Sequence, residues 1–507
     1  MFLGVGECAE TSCTAVLPTD RAIDVHVVAD PDEKNRLYLE VGAVYERELG
    51  VPEKATDTYQ RILEIDPEDL TAIQRLDALY QAAGNWQELL QILEREADLA
   101  GDPNEVVGYR FRIADLWDHK LADAGKAIDG YAGILDVAPD HQPTLDALEA
   151  MIQAGKEPLR AATTLEPIYQ QFGEFAKLVA TLEVQVRHEE DPARKVELLH
   201  RVAELEETQL DKQRAAFDAF ARALAFDSAS EQTLTSLERL AGELNVHGEV
   251  TKLYDAELEK LKEAPDRLVE LGLRTAQIYE VQLGDVESAI ARYNLVLGAD
   301  ESHAQAIESL DRLYGASEQW PDLARILAKE AQLAASPEET LDFQFRLGQV
   351  YEQHLGQVDQ AIEQYKEILG AAPEHAPALD ALEQLFASGT QPLVIAEILE
   401  PLYRMSETWE RLVGVHQVQL QFTSDPAGRL GMIHRITEIA EDRAAEPQLA
   451  FEWHQKALLE SPLDERSVAD TDRLAAALQG WEQLADTLAT VLESHADPAT
   501  RVARGGD

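Results

Sequence analysis

The chain repeats itself after 234 residues. Residues 74–103 align without a gap on residues 308–337, and 14 of the 30 positions are identical. The shared residues include Trp86 and Trp320, and Glu96 and Glu330. An internal repeat of this kind is typical of arrays of stacked structural units, so it constrains the fold before any motif is considered. It also argues against a single catalytic pocket, because the same unit is used many times.

A shorter period lies inside the 234-residue block. A small or polar residue followed by an aliphatic one recurs, with the aliphatic residue at positions 73, 145, 234, 307, 379 and 468. The spacings are 72, 89, 73, 72 and 89 residues, so each block holds two units of about 72 residues and one of 89. A 72-residue unit is roughly two helical hairpins of ~34 residues with their loops.

Each unit begins with two amphipathic helices, because apolar residues recur at helical spacing. In the first hairpin, Gly42 and Tyr45 precede Ala55, Tyr59 and Pro67. The small residue on the first helix lets the second helix pack closely, and the proline ends that second helix. This order of small residue, aromatic, alanine, aromatic and proline resembles the tetratricopeptide repeat.

The resemblance covers residues 31–507. It is marked in the hairpins that begin near residues 34, 106, 268 and 340, and weak in the alternate hairpins such as 69–101 and 303–335. It implies an all-α fold, a right-handed superhelical solenoid of about twelve tetratricopeptide-like hairpins, with one extra helix per 234-residue block.

The extra helix is predicted from the 89-residue units. Their 17 additional residues share one phrase, Leu-Glu-Pro-Ile-Tyr at 165–169 and Leu-Glu-Pro-Leu-Tyr at 399–403. Proline inside a helix is expected to break or kink it. Two interpretations stay open: a helix that resets the phase of the superhelix, or a ledge on which a partner docks.

The duplication also predicts the domain organisation. We expect a first block at residues 30–263 and a second at 264–497. Residues 1–29 match nothing in the block and are expected to be a disordered or misassigned leader. Residues 498–507 read as the truncated start of a further repeat, opened by Pro498.

The charge of the chain restricts the classes of partner. The formal net charge is −51, which repels phosphate groups of nucleic acids and anionic membranes. No basic stripe and no apolar run of ~18 residues is present, so we expect neither nucleic-acid binding nor membrane insertion. Few cysteines and no recognisable signal peptide suit a cytoplasmic protein.

The sequence contains no pattern typical of a metal site or a catalytic centre. Its two cysteines, Cys8 and Cys13, both lie in the leader at a spacing that fits no metal motif. Phosphate-binding glycine loops, nucleophile elbows and zinc-protease motifs are absent from the sequence. We therefore expect no catalytic residues, no cofactor and no metal.

An acidic residue follows the first-helix aromatic position in every unit. The unit spacings place these acids at Glu46, Asp118, Glu207, Glu280, Glu352 and Glu441. Only 95 of 507 residues are Asp or Glu, so chance does not explain six acids at one position. In tetratricopeptide repeats this helix lines a concave groove, so the resemblance implies an acidic row that faces a ligand. A solvated face kept polar in every copy is the alternative, although anions near a helix C-terminus oppose the helix dipole.

These observations predict a non-enzymatic protein–protein interaction scaffold. Its concave acidic face would bind a basic or amphipathic segment of a partner protein or peptide. The alternative is a regulatory or sensor arm of a larger multidomain protein whose effector domain lies outside this segment.

Overall fold

The computed structural model describes the backbone of residues 14–16, 22–24 and 29–494. The chain forms two compact units, Met1–Lys262 and Glu263–Asp507. The described residues contain 26 α-helices, of which 13 lie in each unit. Two short strands, β1 (Thr14–Val16) and β2 (Ala22–Asp24), pair antiparallel within the predicted leader.

Unit 1 contains the helices α1 to α13. Their bounds are α1 Pro31–Arg47, α2 Pro52–Ile65, α3 Leu70–Ala83, α4 Trp86–Leu99, α5 Pro103–His119, α6 Ala124–Leu135, α7 Gln142–Gln153, α8 Pro158–Phe172, α9 Phe175–His188, α10 Pro192–Thr208, α11 Gln213–Leu224, α12 Glu231–Leu244 and α13 His247–Leu258.

Unit 2 contains the helices α14 to α26. Their bounds are α14 Pro265–Gln277, α15 Val286–Ala299, α16 Ala304–Ala316, α17 Trp320–Leu333, α18 Pro337–Gln349, α19 Val358–Ala371, α20 Ala376–Ala387, α21 Pro392–Met405, α22 Trp409–Phe422, α23 Pro426–Glu438, α24 Pro447–Glu460, α25 Glu465–Leu478 and α26 Trp481–Ser494. Three of them, α14, α18 and α23, continue into a wider π-helical turn, at Ile278–Leu283, Val350–His354 and Ile439–Arg443.

Five of the six first helices begin at a proline preceded by a polar cap, and the sixth, α14, has Ala264 before its proline. Asp30 accepts a hydrogen bond from the backbone N–H of Asp32, at 3.3 Å, and Pro31 occupies the first helical turn. Proline suits this position because its missing N–H would have no partner there, and the cap satisfies one of the free N–H groups. The equivalent caps are Asp102, Asp191, Ser336 and Asp425.

The two helices of a hairpin meet where a small residue faces a tyrosine ring. A methyl group added at Gly42 would lie 2.5 Å from Cε1 of Tyr59, and one added at Gly348 would lie 2.5 Å from Cε1 of Tyr365. Both tyrosine rings are fully buried. The glycines are therefore required by the close approach of the helices, as the sequence predicts.

Tryptophan side chains lie between successive hairpins. Trp86, at the start of α4, packs against the core of α1 to α5. Three of these rings contact a basic side chain at the end of the next first helix. These pairs are Trp86 with Lys120, Trp320 with His354, and Trp409 with Arg443. Each pair adds a cation–π or stacking contact to this packing.

The two extra helices of the 89-residue units are α8 and α21. Each runs through an internal proline, Pro167 or Pro401, without ending there. A break at these prolines is therefore ruled out, and the alternative expectation, a kink, stays a prediction. Helix α8 packs on α7 and α9 and buries Leu165 and Tyr169, and this burial offsets the ~3 kcal/mol that an internal proline costs.

Packing between sequence neighbours dominates the tertiary contacts of each unit. This is the pattern of a solenoid, in which a repeat is stabilised by the repeat beside it. The all-α array of stacked hairpins with one extra helix per 234 residues is confirmed. The right-handed twist and the block boundaries at residues 30–263 and 264–497 stay predictions, and residues 495–507 lie outside the described part of the chain.

Replacing Gly348 by alanine tests the close contact within a hairpin. The new methyl group would overlap the ring of Tyr365, which is buried and unable to move away. We expect the substitution to lower the free energy of unfolding by ~1–3 kcal/mol, as overpacking usually does. Urea unfolding followed by circular dichroism measures the change.

Gly414→Ala is the matched control for this substitution. Gly414 lies inside α22, and an added methyl group there meets no atom within 4 Å. Alanine should raise stability by roughly 0.5–1 kcal/mol because it favours the helix. Equal destabilisation by the two substitutions would mean that the contact with Tyr365 does not limit the helix spacing.

Candidate partner-binding surface

The six predicted acidic residues occupy one position of the repeat. In unit 1, Glu46, Asp118 and Glu207 are each the last residue but one of α1, α5 and α10. In unit 2 the equivalent residues, Glu280, Glu352 and Glu441, each lie third in the π-helical turn that extends the first helix. Wider π turns are often found at functional positions of helices.

Three of these carboxylates accept a hydrogen bond from a tyrosine 13 residues later. The pairs are Tyr59 with Glu46 at 3.1 Å, Tyr293 with Glu280 at 3.0 Å, and Tyr365 with Glu352 at 2.7 Å. Burial, and then the nearby Glu46 carboxylate, raises the pKa of Tyr59 to about 12. The hydroxyl group therefore stays protonated and donates at every ordinary pH.

Five of the six acids also contact a cation on a later helix or loop. The contacts are Glu46–Arg75 at 3.5 Å, Asp118–Lys156 at 2.6 Å, Glu207–Arg239 at 2.8 Å, Glu280–Arg312 at 2.5 Å and Glu441–Arg473 at 2.6 Å. Their carboxylates are 5–25% exposed, so the acidic row is half-buried. The sequence analysis missed these cations, and each of them ties one hairpin to the next.

Two features leave negative charge on the row. Within the described residues, Glu352 has Tyr365 as its recorded partner and no cation within ion-pair distance. Arg239 forms ion pairs with two carboxylates, Glu207 and Glu243, at 2.8 Å each, so its single positive charge is shared between them. Arg473 is divided in the same way between Glu441 and Asp470.

A second charged cluster lies between α3, α4 and α5, on residues that the sequence analysis did not select. Arg112 donates to both carboxylate oxygens of Asp77, at 2.7 and 2.6 Å. Oε2 of the buried Glu96 lies 3.8 Å from Nη1 of Arg112 and has no hydrogen-bond partner. The equivalent residues of unit 2 are Asp311, Glu330 and Arg346. We name these two groups the buried-glutamate clusters.

Burial changes the protonation of these two glutamates. Desolvation, and then the nearby Asp77, raises the pKa of Glu96 to about 7, against the opposing pull of Arg112. Desolvation and Asp311 likewise raise the pKa of Glu330 to about 7. In the 89-residue units the matching positions carry the neutral residues Gln185 and Gln419.

Comparison of the sequence with models of known families identifies the type of repeat. Models of the tetratricopeptide repeat match residues 72–107 and 342–375. The chain contains tetratricopeptide repeats. The second match lies where the sequence resemblance is marked, but the first covers the α3–α4 hairpin, where the resemblance is weak. Tetratricopeptide repeats generally mediate protein–protein interactions and are generally non-enzymatic.

Solved structures match parts of this chain at low identity and low TM-score. YrrB, described as having an unusual peptide-binding site, is 16% identical, with 38% of this chain and 97% of that chain covered and a TM-score of 0.22. The P58(IPK) TPR domain is 17% identical, with 71% of this chain and 99% of that chain covered and a TM-score of 0.19. The human IFIT1 dimer with m7Gppp-AAAA is 14% identical, with 79% of this chain and 97% of that chain covered and a TM-score of 0.23. No curated protein matches the sequence significantly.

Other candidate groups in the tetratricopeptide array have structural partners. His200 donates to or accepts from Thr233, at 2.8 Å, and packs on Phe220. His434 lies 2.9 Å from Asp464. Among the described residues no cluster of three or more His, Cys, Asp or Glu could hold a metal ion. Cys8 and Cys13 lie outside the described residues, and no helix that the structure describes is long and apolar enough to cross a membrane.

The buried-glutamate clusters predict a specific dependence of stability on pH. In the unfolded chain Glu96 and Glu330 titrate near 4.5, and in the folded chain near 7. The folded protein therefore binds more protons between these values, so its free energy of unfolding falls as pH rises through this window. The protein with both Glu96→Gln and Glu330→Gln should lose less free energy of unfolding over this pH window, on the order of 2 kcal/mol less per substituted site. Urea unfolding at pH 5.0 and 8.0 measures the difference.

Glutamine already occupies the equivalent positions in the 89-residue units, so these substitutions are compatible with the fold. Glu94→Gln is the control, because Glu94 is an exposed residue of the same helix as Glu96. This control should keep the pH dependence of the natural protein. If the double glutamine protein shows the natural dependence too, the titrating groups lie elsewhere.

Proposed function

We propose that this protein is a non-enzymatic scaffold that holds a basic or amphipathic segment of a partner protein. The concave face expected of tetratricopeptide repeats is the binding surface, and Glu46, Asp118, Glu207, Glu280, Glu352 and Glu441 form its acidic row. The cytoplasm is the expected compartment.

The unbalanced charge of Glu352 supports this proposal most directly. Its carboxylate is oriented by the hydroxyl group of Tyr365, at 2.7 Å, and faces no cation among the described residues. A carboxylate offers about four acceptor sites, so the hydrogen bond leaves room for a lysine or arginine of a ligand. Charge-assisted hydrogen bonds of this kind are stronger than neutral ones.

The neighbouring row residues fit the same proposal with a smaller contribution. Glu207 and Glu441 each share one arginine with a second carboxylate, so a net negative charge remains around each of them. Glu46 and Glu280 each hold a tyrosine and an arginine of the protein itself. A ligand cation gains less there, because it has to share acceptor oxygens that are already occupied.

A decalysine peptide with a fluorescent label tests the role of Glu352. The Glu352→Gln substitution removes the charge but keeps an oxygen that can accept from Tyr365. We expect the dissociation constant to rise about fivefold, which corresponds to about 1 kcal/mol. Fluorescence anisotropy at low salt measures it, and the difference should shrink at 0.5 M salt because the interaction is screened.

Glu452→Gln is the control that separates the row from the overall charge. Glu452 is exposed on α24, has no recorded partner among the described residues and changes the net charge equally. This variant should bind decalysine within twofold of the natural protein. Equal weakening by the two substitutions would show that the peptide senses only the total charge, and the row would then have no special role.

A further inference from the structure

The extra helices, α8 and α21, carry several large apolar side chains that are exposed to solvent. On α21, the side chains of Leu393, Val394 and Met405 are 44%, 47% and 63% exposed. On α8, Leu159 and Phe172 are 39% and 49% exposed. Leu393 and Met405 lie at opposite ends of α21, so they do not form one patch, and the end that borders a groove is the candidate binding surface.

A groove lies beside the C-terminal end of α21. Its volume is about 620 Å³, within the range of pockets that hold ligand groups. It is formed by the connection between α19 and α20, the end of α21 and the start of α22. Its apolar walls are Pro373, Leu379, Leu402 and Met405. We call this space the α21 groove.

The polar groups in the wall of the α21 groove already have partners. The hydroxyl group of Tyr403 donates to Glu383 at 2.6 Å, and the guanidinium of Arg411 bonds to the same carboxylate. The charge of Arg411 is balanced by Glu383, so this pair adds no net positive charge to the groove. Glu374, which is exposed at the edge of the groove, has no recorded partner among the described residues. The α21 groove thus combines apolar walls with a negative edge.

The same arrangement of polar groups recurs in unit 1. Tyr169 donates to Glu149, and Lys177 lies 3.0 Å from that carboxylate. A cavity of about 300 Å³ adjoins this tyrosine and is lined in part by Leu165 and Val184. This cavity is lined by α7, α8 and α9, and among its lining residues only Tyr169 and Lys177 correspond to residues of the α21 groove.

We propose that the α21 groove binds a large apolar side chain of a partner protein, from an amphipathic segment that carries a basic residue beside it. The inference rests on the proposed scaffold function and adds an apolar contact to the charged ones. The apolar residue fills the space between Leu379, Leu402 and Met405, and the basic residue faces Glu374. Such a segment matches a groove with apolar walls and an acidic edge.

Charge argues for a basic partner and against a second copy of this chain. The protein carries a formal net charge of −51, so a second copy would bring further carboxylates toward Glu374. Like charges at an interface edge suppress association. A basic amphipathic segment has the opposite charge and the apolar side chain that the groove lacks.

A dye placed at the groove reports its occupancy. The full chain with Cys8→Ser, Cys13→Ser and Met405→Cys is labelled with acrylodan, and Leu393→Cys gives the matched label at the other end of α21. The probe is a 16-residue helical peptide of leucine and lysine, and its control has serine in place of leucine. We expect a saturable blue shift at position 405 with the leucine peptide, no shift with the serine peptide, and little change at position 393.

Unlabelled variants then measure the contribution of the groove. Met405→Glu should weaken binding of the leucine peptide at least tenfold, and Leu393→Glu, with the same charge change on the same helix, by less than twofold. Glu374→Lys should weaken it about fivefold, and Glu397→Lys, at an exposed position of α21, by less than twofold.

Three results would overturn the α21 groove proposal. The first is equal weakening by Met405→Glu and Leu393→Glu. The second is a blue shift with the serine peptide, which would indicate charge alone. The third is self-association of the natural chain in sedimentation that Met405→Glu abolishes, which would make a second copy the occupant. If decalysine binding still depends on Glu352 in any of these cases, the scaffold proposal survives without the groove.

Discussion

The contact between a small residue and a buried tyrosine ring sets the distance between the helices of a hairpin. At Gly42 and Gly348 the space for even one methyl group is taken by the ring. The same rings donate from their hydroxyl groups to Glu46 and Glu352. Packing and polar contacts therefore act through one side chain, and the helix spacing, the orientation of the acid and the position of the next hairpin depend on it.

This arrangement explains why an acid recurs at the end of the first helix. Near a helix C-terminus a carboxylate opposes the helix dipole, so helix stability alone does not favour it. Here the carboxylate accepts from a tyrosine of its own hairpin in three of the six copies and contacts a cation of a later hairpin in five. Each hairpin is thereby tied to its neighbour, and the residual negative charge at Glu352 and Glu207 is what a ligand could still use.

The 234-residue repeat predicted the helices because the periodic spacing of buried residues is a local property of the sequence. The cations were not predicted because loop lengths vary: Arg239 follows its acid by 32 residues, whereas Arg75 follows by 29 and Lys156 by 38. The buried-glutamate clusters carried a signal, since Arg112 and Arg346 both lie nine residues after a helix-opening proline. Their raised pKa values follow from burial, which a helical pattern of mixed polarity does not reveal.

The extra helix changes the surface of the array. A regular solenoid buries each helix between its neighbours, so its surface varies little from repeat to repeat. An inserted helix interrupts this order, and the end of α21 leaves Met405 exposed beside Leu402 and Tyr403. Helix α8 ends with Phe172 exposed instead. The lining residues differ while the tyrosine and its carboxylate are kept, so the two units have the same framework and different apolar surfaces. Under the proposed function, the two copies of the duplicated fold would therefore bind two different segments.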